Sequence, residues 1–229
     1  AWNGTGQFQG TEPIRGFGAV AGVYEEACQI VVRADSEIST VEELEGHRVS
    51  IGEEESGTKQ NALQILAAYG LNEKLVEEVS LNYTEAAKEL ENGTIDAFFC
   101  TAGVQTAAIT NLAQRTGIRF LNVDNAAAAR LKKSYPVYDS CIIAAGTYPG
   151  QEEDVSTVGV KAVLLASDSV SAEVVEELTA LLFEEQQELD FALPVELITD
   201  ADAAVAGISV PFHKGAERYY ESRGEKSEN

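Results

Sequence analysis

The segment with the clearest chemical potential is an acidic run followed by a small turn. Residues 53–55 are all glutamate, and they lead through Ser56, Gly57 and Thr58 into apolar residues at helical spacing. The first N–H groups of a helix have no partner within it and carry a partial positive charge, and glycine lets a ligand approach the backbone. The segment therefore predicts a site for a carboxylate or phosphate. The alternative is that Ser56 or Thr58 only caps the helix.

A second small-residue turn follows the apolar strand pattern at 95–100. It consists of Thr101, Ala102, Gly103 and Val104, and it opens another helical pattern. Ligands of open α/β sheets bind at the carboxyl ends of the strands, where both turns would lie. The alternative is an ordinary tight connection between a strand and a helix.

Catalytic patterns are poor in this sequence. The two histidines, His47 and His213, lie in a turn and near the C-terminal segment, respectively. No GxSxG, HExxH, P-loop or dinucleotide fingerprint occurs. We therefore predict no catalytic residue, no metal ligand and no cofactor.

The three cysteines stand far apart in the sequence. Cys28, Cys100 and Cys141 each adjoin apolar residues, and no CxxC or metal-ligand spacing connects them. The pattern predicts small buried thiols in strands, and a disulfide between two of them stays open as an alternative.

Composition excludes several classes of function. The 229 residues include 16 Lys+Arg and 38 Asp+Glu, which gives a net charge of −22, and 45% are hydrophobic. A charge this negative opposes binding to nucleic acid or to anionic membranes, since both are polyanions. No apolar run approaches the roughly 20 residues that a membrane-spanning helix needs. The chain has the composition of an ordinary globular protein.

Short apolar runs alternate with amphipathic stretches, which predicts an α/β fold. A capping box from Ser39 to Glu42 predicts a short helix through Leu44. The segment 135–157 is predicted as a mostly irregular connection, and 221–229 as a frayed tail. Strands are predicted at 27–33, 48–52, 95–100, 118–123 and 158–166, and helices from Thr58 to Tyr69 and at 84–90, 104–115, 125–133 and 172–189.

One internal echo stands out. Residues 31–36 and 164–169 are each a strand leading into an Asp-Ser turn, and a helical pattern follows both. The echo predicts two crossover strands that enter and leave an inserted lobe and act as a hinge. The alternative is chance, because strand–turn–helix units share their composition.

Taken together, the sequence resembles the TAXI-type solute receptors, the extracytoplasmic binding proteins of certain TRAP transporters. The order and number of the matching segments make the likeness specific, although each is weak alone. These segments are 24–25, 31–36, 46–52, 56–58, 95–99, 101–104, 145–155 and 211–220.

The resemblance implies a two-lobed type II periplasmic-binding-protein (Venus-flytrap) fold. Lobe 1 would comprise 1–34 and 162–229, and lobe 2 would be the inserted segment 35–161. The match begins at Asn3, so we expect an incomplete first lobe, truncated at its N-terminus, and a signal sequence that is not present in this chain.

The resemblance also implies site residues in the cleft between the lobes. It makes Ser56, Gly57 and Thr58 the anion contact, and the turn at 101–104 the cleft wall. Tyr24 and Tyr148 would be contacts beside the hinge. Related amino-acid receptors often hold the ligand ammonium with an acidic residue, whereas the turn at 101–104 has none.

The expected function is that of a non-catalytic receptor outside the cytoplasm, either periplasmic or a cell-surface lipoprotein. It would deliver a small carboxylate or an amino acid such as glutamate to membrane transporter subunits. The alternatives are the ligand-sensing ectodomain of a signalling receptor and, from another class, an enzyme on the same scaffold.

Overall fold

A computed structural model describes residues 2–4, 8, 10–185 and 195–224. These residues form an α/β fold, which confirms the predicted class. The strands are β1 (Phe17–Arg33), β2 (Arg48–Ser50), β3 (Glu77–Val79), β4 (Ala97–Ala102), β5 (Ile118–Phe120), β6 (Tyr138–Ile143) and β7 (Val155–Ser167). The helices are α1 (Gly57–Ala68), α2 (Tyr83–Asn92), α3 (Ala107–Arg115), α4 (Asn125–Ser134), α5 (Ala172–Glu184), α6 (Ala201–Val205) and α7 (Lys214–Arg223).

The chain divides into two compact units. The insert unit comprises Glu26–Val160, and the terminal unit comprises Ala1–Glu25 with Lys161–Asn229. The long strands β1 and β7 each contribute residues to both units. The resemblance predicted slightly different bounds. It placed 1–34 and 162–229 in lobe 1 and 35–161 in lobe 2, and this assignment of lobes stays a prediction.

The sheet of the insert unit is mixed and open. Strand order is β3-β2-β4-β1-β7-β6, with β5 beside β1. Strand β2 pairs in parallel with β3 and β4, whereas β4 pairs antiparallel with β1, and β6 antiparallel with β7. The three parallel strands therefore end at one edge, and each leads into a helix.

Both faces of this sheet are buried. Along β4, Ala97 and Phe99 enter the cluster that includes residues of α1 and α4, while Phe98 and Cys100 enter the cluster that includes residues of α2 and α3. This alternation explains why the strand reads as a continuous apolar run. The α1–α4 cluster and the α2–α3 cluster hold the sheet between two layers of helices.

In the terminal unit, α5 packs against α7 at very short range. A Cβ added at Gly215 would lie 2.7 Å from the backbone nitrogen of Glu176 and closer still to the carbonyl oxygen of Ala172. The Tyr220 hydroxyl donates to the Val20 carbonyl at 2.8 Å, which ties α7 to β1. Glycine at 215 thus sets how closely the two helices approach.

Two edge strands were not predicted. Strand β6 lies in the segment predicted as an irregular connection, and β3 has only three residues, two of them glutamate. An edge strand is hydrogen-bonded to a neighbouring strand on one side only, and its other side is open to solvent. Such a strand carries fewer apolar residues than a central strand, so its apolar pattern in the sequence is weak. Strand β6 instead gains its order from six paired positions on β7, the next strand of the chain.

Several predicted boundaries and caps were wrong in detail. The carboxylate that reaches back at the short helix is that of Glu43, which accepts from the Ser39 N–H at 2.6 Å, and the helix is a 3₁₀ turn over Glu42–Leu44. Helix α7 continues to Arg223, so the predicted tail begins later than 221. Helix α5 ends at Glu184, and residues 186–189 of its predicted length lie outside the described residues.

All three cysteines are described, and none forms a disulfide bond. Cys28 and Cys100 are buried in β1 and β4, and Cys141 is half-buried in β6. This confirms the prediction of buried thiols in strands for Cys28 and Cys100, whereas Cys141 lies in a strand but is only half-buried. Among the described residues, no helix is both long and apolar enough to cross a membrane.

Candidate functional site

Three helices begin at the edge where the parallel strands of the insert unit end. Helix α1 follows β2, α2 follows β3, and α3 follows β4. The carboxyl ends of parallel strands meet at one side of a sheet, so the first turns of these helices lie near one another. The two turns singled out in the sequence, 56–58 and 101–104, both lie at this edge.

A ring of hydrogen bonds joins the start of α1, the start of α2 and the end of β4. The Thr101 N–H donates to the Thr58 hydroxyl oxygen at 3.4 Å, and the Tyr83 hydroxyl donates to the Thr101 carbonyl at 2.8 Å. The Thr58 and Tyr83 hydroxyl oxygens lie 2.6 Å apart. Because the Tyr83 proton goes to Thr101, the Thr58 hydroxyl is the donor in the closing bond. Thr58, at the start of α1, is thus fixed to α2 and β4.

This ring changes which groups at the start of α1 are available. Thr58 is buried, and its hydroxyl proton is used by Tyr83. The Ser56 hydroxyl oxygen accepts from the Lys59 N–H at 3.0 Å and caps the helix, which leaves its proton for another partner. The N–H groups of Gly57 and Thr58 lie in the first turn, where a helix supplies no acceptor. The donors of this turn are therefore backbone N–H groups together with the Ser56 hydroxyl.

Gly57 offers open space at the helix start. It is exposed, and a Cβ placed there would have no heavy atom within 4 Å. Gly52 serves a different purpose: its φ is +98°, and a Cβ there would lie 2.9 Å from the Thr58 side chain. Glycine at 52 therefore lets the end of β2 pass close to Thr58, while glycine at 57 leaves the helix start accessible.

The acidic run before the turn is partly neutralised. The Lys59 ammonium contacts the Glu54 carboxylate at 2.7 Å, and the Ser80 hydroxyl donates to the same group at 2.7 Å. These hydrogen bonds, chiefly that from Lys59, lower the pKa of Glu54. Negative charge beside the helix start is thus offset locally, although the whole chain is strongly acidic.

A second network of hydrogen bonds supports the turn 101–104 from the core side. Gln29 donates to the Ala102 carbonyl at 3.4 Å, and the Tyr148 hydroxyl donates to the Gln29 side-chain oxygen at 2.6 Å. The Tyr148 hydroxyl also accepts from the Thr106 N–H at 3.1 Å, and the Thr106 hydroxyl donates to the Gly103 carbonyl at 2.8 Å. Tyr148 is 2% exposed, so it supports the turn from within the core.

The predicted residues differ in how they could meet a ligand. Thr101 is buried, and its hydroxyl donates to the Cys28 sulfur at 3.6 Å. Ala102 and Gly103 are half-buried, and Val104 is 39% exposed. The structure therefore brings 56–58 and 101–104 to one edge, with Val104 and Gly57 the accessible members.

Tyr24 belongs to the terminal unit, unlike the other predicted residues. It lies on β1, is half-buried, and forms an isolated antiparallel bridge with Leu197. Its predicted role beside the hinge stays a prediction.

Sequence reasoning missed three residues that organise this edge: Gln29, Tyr83 and Thr106. A signal for Gln29 was available, because it interrupts a buried apolar strand and a buried amide must be hydrogen-bonded. Asn82 caps α2 by accepting from the Glu85 N–H, which places Tyr83 in the first turn. Which partner the Tyr83 hydroxyl meets depends on the parallel pairing of β2, β3 and β4, which no local pattern specifies.

The geometry suits binding better than proton transfer. Burial raises the pKa of Tyr83 and that of the Cys100 thiol to about 12, so both stay protonated near neutral pH. His47 is partly exposed and contacts Asp96 at 3.2 Å, and the buried His213 caps α7 by accepting from the Gly215 N–H. Within the described ranges, no group of three His, Cys, Asp or Glu residues could hold a metal ion.

Comparison with known proteins gives a family match and several likenesses of fold. The NMT1-like family matches residues 1–224 of the chain. The periplasmic aliphatic sulphonate binding protein SsuA from Escherichia coli is 18% identical over 77% of this chain and 53% of its own, with a TM-score of 0.45. A TctC solute binding protein from Polaromonas is 17% identical over 79% of this chain and 61% of its own, with a TM-score of 0.47.

An ancestral arginine-binding protein, bound to glutamine, is 16% identical over 75% of this chain and 60% of its own, with a TM-score of 0.41. The likeness to all three proteins concerns the fold. The chain spans between about half and three-fifths of the length of these structures.

Proposed function

The chain belongs to the NMT1-like family, and we propose that it is the ligand-binding part of an extracytoplasmic solute receptor of the TAXI type. It binds a small carboxylate or an amino acid such as glutamate and delivers it to the membrane subunits of a TRAP transporter. The proposal rests on one observation above all: three helix starts converge at one sheet edge, and the start of α1 exposes Gly57 there.

The chemistry of this edge supports an anionic ligand. The N–H groups of Gly57 and Thr58 and the proton of the Ser56 hydroxyl are donors to a carboxylate, and the positive end of the α1 dipole favours a negative charge. Lys59 offsets Glu54 at the same place. An acidic protein can therefore accept a small anion through local donors.

A neighbouring carboxylate supports an ammonium group on the ligand. Glu26 precedes Ala27, which pairs with Ala102 on β4, so Glu26 lies beside the second turn. After burial, which is the largest cause, the charge of Glu26 contributes to the raised pKa of Tyr83. An amino acid would thus find donors for its carboxylate and an acceptor for its ammonium at one edge.

The test is thermal melting of the protein with glutamate, succinate, acetate and inorganic phosphate in turn. A ligand that binds only the native state raises the melting temperature as its concentration rises. The discriminating variant is Gly57→Ala, since the structure has open space at this position and the added methyl group is compatible with folding. We expect a melting temperature without ligand that is no lower than that of the parent, because alanine restricts the unfolded chain more than glycine does. The shift with ligand should be reduced, because the methyl group occupies the approach to the backbone.

The matched control is Asn125→Ala, at the first position of α4 in the same unit. It should keep the full ligand-induced shift. If no anion of the panel raises the melting temperature of the folded, ligand-free protein, the carboxylate hypothesis is wrong. If a shift occurs but Gly57→Ala retains it in full, the ligand binds elsewhere.

The sensing ectodomain of a signalling receptor shares this binding chemistry, and the complete gene would distinguish it from a transport receptor. The absence of catalysis also stays a prediction. Turnover of a bound panel compound, followed by NMR of the ligand, would contradict it and favour the enzyme alternative.

A further inference from the structure

A concave site lies at the other end of α1. The last turns of α1 and α4 line a cavity of about 460 Å³ within the insert unit, and this cavity is open to solvent. This volume is in the range of pockets that bind small organic molecules. The cavity is lined by Gln64, Ala67, Ala68, Arg130, Leu131, Lys133, Ser134 and Tyr135.

The cavity combines two cations with an apolar wall. The Arg130 Nε–H donates to the Ala68 carbonyl at 2.9 Å, which fixes the guanidinium while leaving its terminal nitrogens for another acceptor. Lys133 lies on the same helix, three residues further along. Neither cation lies within ion-pair distance of a carboxylate among the described residues; the charge of Arg130 interacts with that of Asp124 at longer range.

Neutral groups add donors and an aromatic surface. The Tyr138 hydroxyl donates to the Gln64 side-chain oxygen at 2.6 Å, so the Gln64 amide nitrogen keeps its protons for another acceptor. The Tyr135 side chain is 40% exposed and packs edge-on against Tyr138 at 6.3 Å between ring centres. Leu131 lines the cavity, although nearly all of its side chain is buried in the core.

Helix capping explains only part of this arrangement. Cations in the last turn of a helix are favourable because the helix dipole is negative there, and Arg130 caps α1 in this sense. Capping requires neither a cavity nor the orientation of the Gln64 amide nor an exposed aromatic ring beside the cations. These features together are those of a ligand site.

The cavity is separate from the edge described above. Thr58 lies in the first turn of α1 and Ala68 is its last residue, so the two sites are about 15 Å apart along the helix. The inference therefore does not depend on the proposed solute site.

We propose that this cavity binds a carboxylate carried on a small apolar or aromatic body. The carboxylate meets Arg130 and Lys133, and the body lies against Leu131, Ala67 and the Tyr135 ring. Two sources share this chemistry: a free organic acid, and an acidic side chain beside an aromatic one in a partner protein.

The test uses phenylacetate and its neutral isostere phenylacetamide, followed by backbone amide NMR of the intact chain. Phenylacetate should shift the amides of Ala68, Arg130 and Tyr135 saturably. Phenylacetamide should bind about 10-fold more weakly, because hydrogen bonds to charged groups contribute more than neutral ones. The double variant Arg130→Gln/Lys133→Gln should weaken phenylacetate to a similar extent.

The matched control is Lys74→Gln, which removes an exposed lysine elsewhere in the same unit. It should leave the affinity for phenylacetate unchanged, as should Gly57→Ala. The solute proposal is tested by the Gly57→Ala variant and this proposal by the Arg130→Gln/Lys133→Gln variant. Failure of one proposal is therefore distinguishable from failure of the other.

Equal shifts with phenylacetamide, or shifts that survive the double variant, would overturn the proposal. An amidated tripeptide, acetyl-Asp-Phe-Asp-amide, separates the two sources. Tighter binding of the peptide than of phenylacetate at the same amides assigns the site to a partner protein, and the reverse order assigns it to a free acid.

Discussion

At the scale of single residues, the Tyr83 hydroxyl holds the candidate site together. It joins the first turn of α1 to the end of β4 through Thr58 and Thr101. We predict that Tyr83→Phe lowers the free energy of unfolding by about 1–2 kcal/mol, because the Thr101 carbonyl and the Thr58 hydroxyl each lose a partner. Urea unfolding measures this loss.

The matched control is Tyr135→Phe, since that hydroxyl belongs to an exposed side chain. Its free energy of unfolding should stay within about 0.5 kcal/mol of the parent. Equal stability of Tyr83→Phe and the parent protein would show that the ring of hydrogen bonds contributes nothing to stability.

The cysteines give a second prediction at this scale. Burial raises the pKa of Cys100 to about 12, and the thiolate is the reactive form of cysteine. We expect iodoacetamide at pH 8 to label the half-buried Cys141 first, with Cys28 and Cys100 reacting only after unfolding in urea. Mass spectrometry of tryptic peptides reads the order, and rapid labelling of Cys100 in the folded protein would contradict it.

At the scale of elements, the contact of α5 with α7 depends on Gly215. Because a Cβ there would collide with the backbone of α5, Gly215→Ala must separate the two helices. We predict a loss of about 1–3 kcal/mol in the free energy of unfolding, although alanine favours helix formation more than glycine does. Gly57→Ala is the control, since it is also a helical glycine but has open space; equal effects of the two variants would contradict the prediction.

The start of α4 gives a pH-dependent prediction. Hydrogen bonds to Asp124, first of all from the Ala127 N–H, lower its pKa below the ordinary value of 3.8. A carboxylate with a depressed pKa stabilises the folded state above its ordinary pKa, and this stability is lost as the pH falls through the folded-state pKa. We expect Asp124→Asn, which keeps a capping oxygen, to remove this contribution to acid destabilisation.

Thermal melting between about pH 2 and pH 6 measures the effect. Asp124→Ala should be less stable than the parent by about 1 kcal/mol at neutral pH, because it loses the cap. If the melting temperatures of the parent and of Asp124→Asn fall equally as the pH is lowered, Asp124 does not contribute to acid destabilisation.

At the scale of the whole molecule, the net charge of −22 dominates. Like charges repel one another more in a compact state than in an expanded chain, and salt screens this repulsion. We predict that the melting temperature rises as sodium chloride increases from about 10 mM to about 200 mM. A flat or falling melting temperature over this range would show that local pairs, such as Lys59 with Glu54, already offset the excess charge.

The sequence by itself determined the elements that lie in the core. Strand β4 and helices α1, α2 and α4 follow from local sequence patterns and, for α1, from a cap such as Ser56, because burial and local hydrogen bonds act on neighbouring residues. The two candidate turns, 56–58 and 101–104, were found in the same way, since each follows an apolar strand pattern and opens a helix.

Only the tertiary structure decided how those turns are used. The pairing of β2 with β3 and β4 brings Tyr83 to Thr58, which takes the Thr58 hydroxyl away from a ligand and leaves Gly57 accessible. The pairing with β2 also creates the edge strand β3, and the pairing with β7 creates the edge strand β6. The hydrogen bond from Tyr148 to Gln29 on β1 gives Tyr148 its role beneath the second turn. These features depend on contacts between residues far apart in the chain, so no local pattern encodes them.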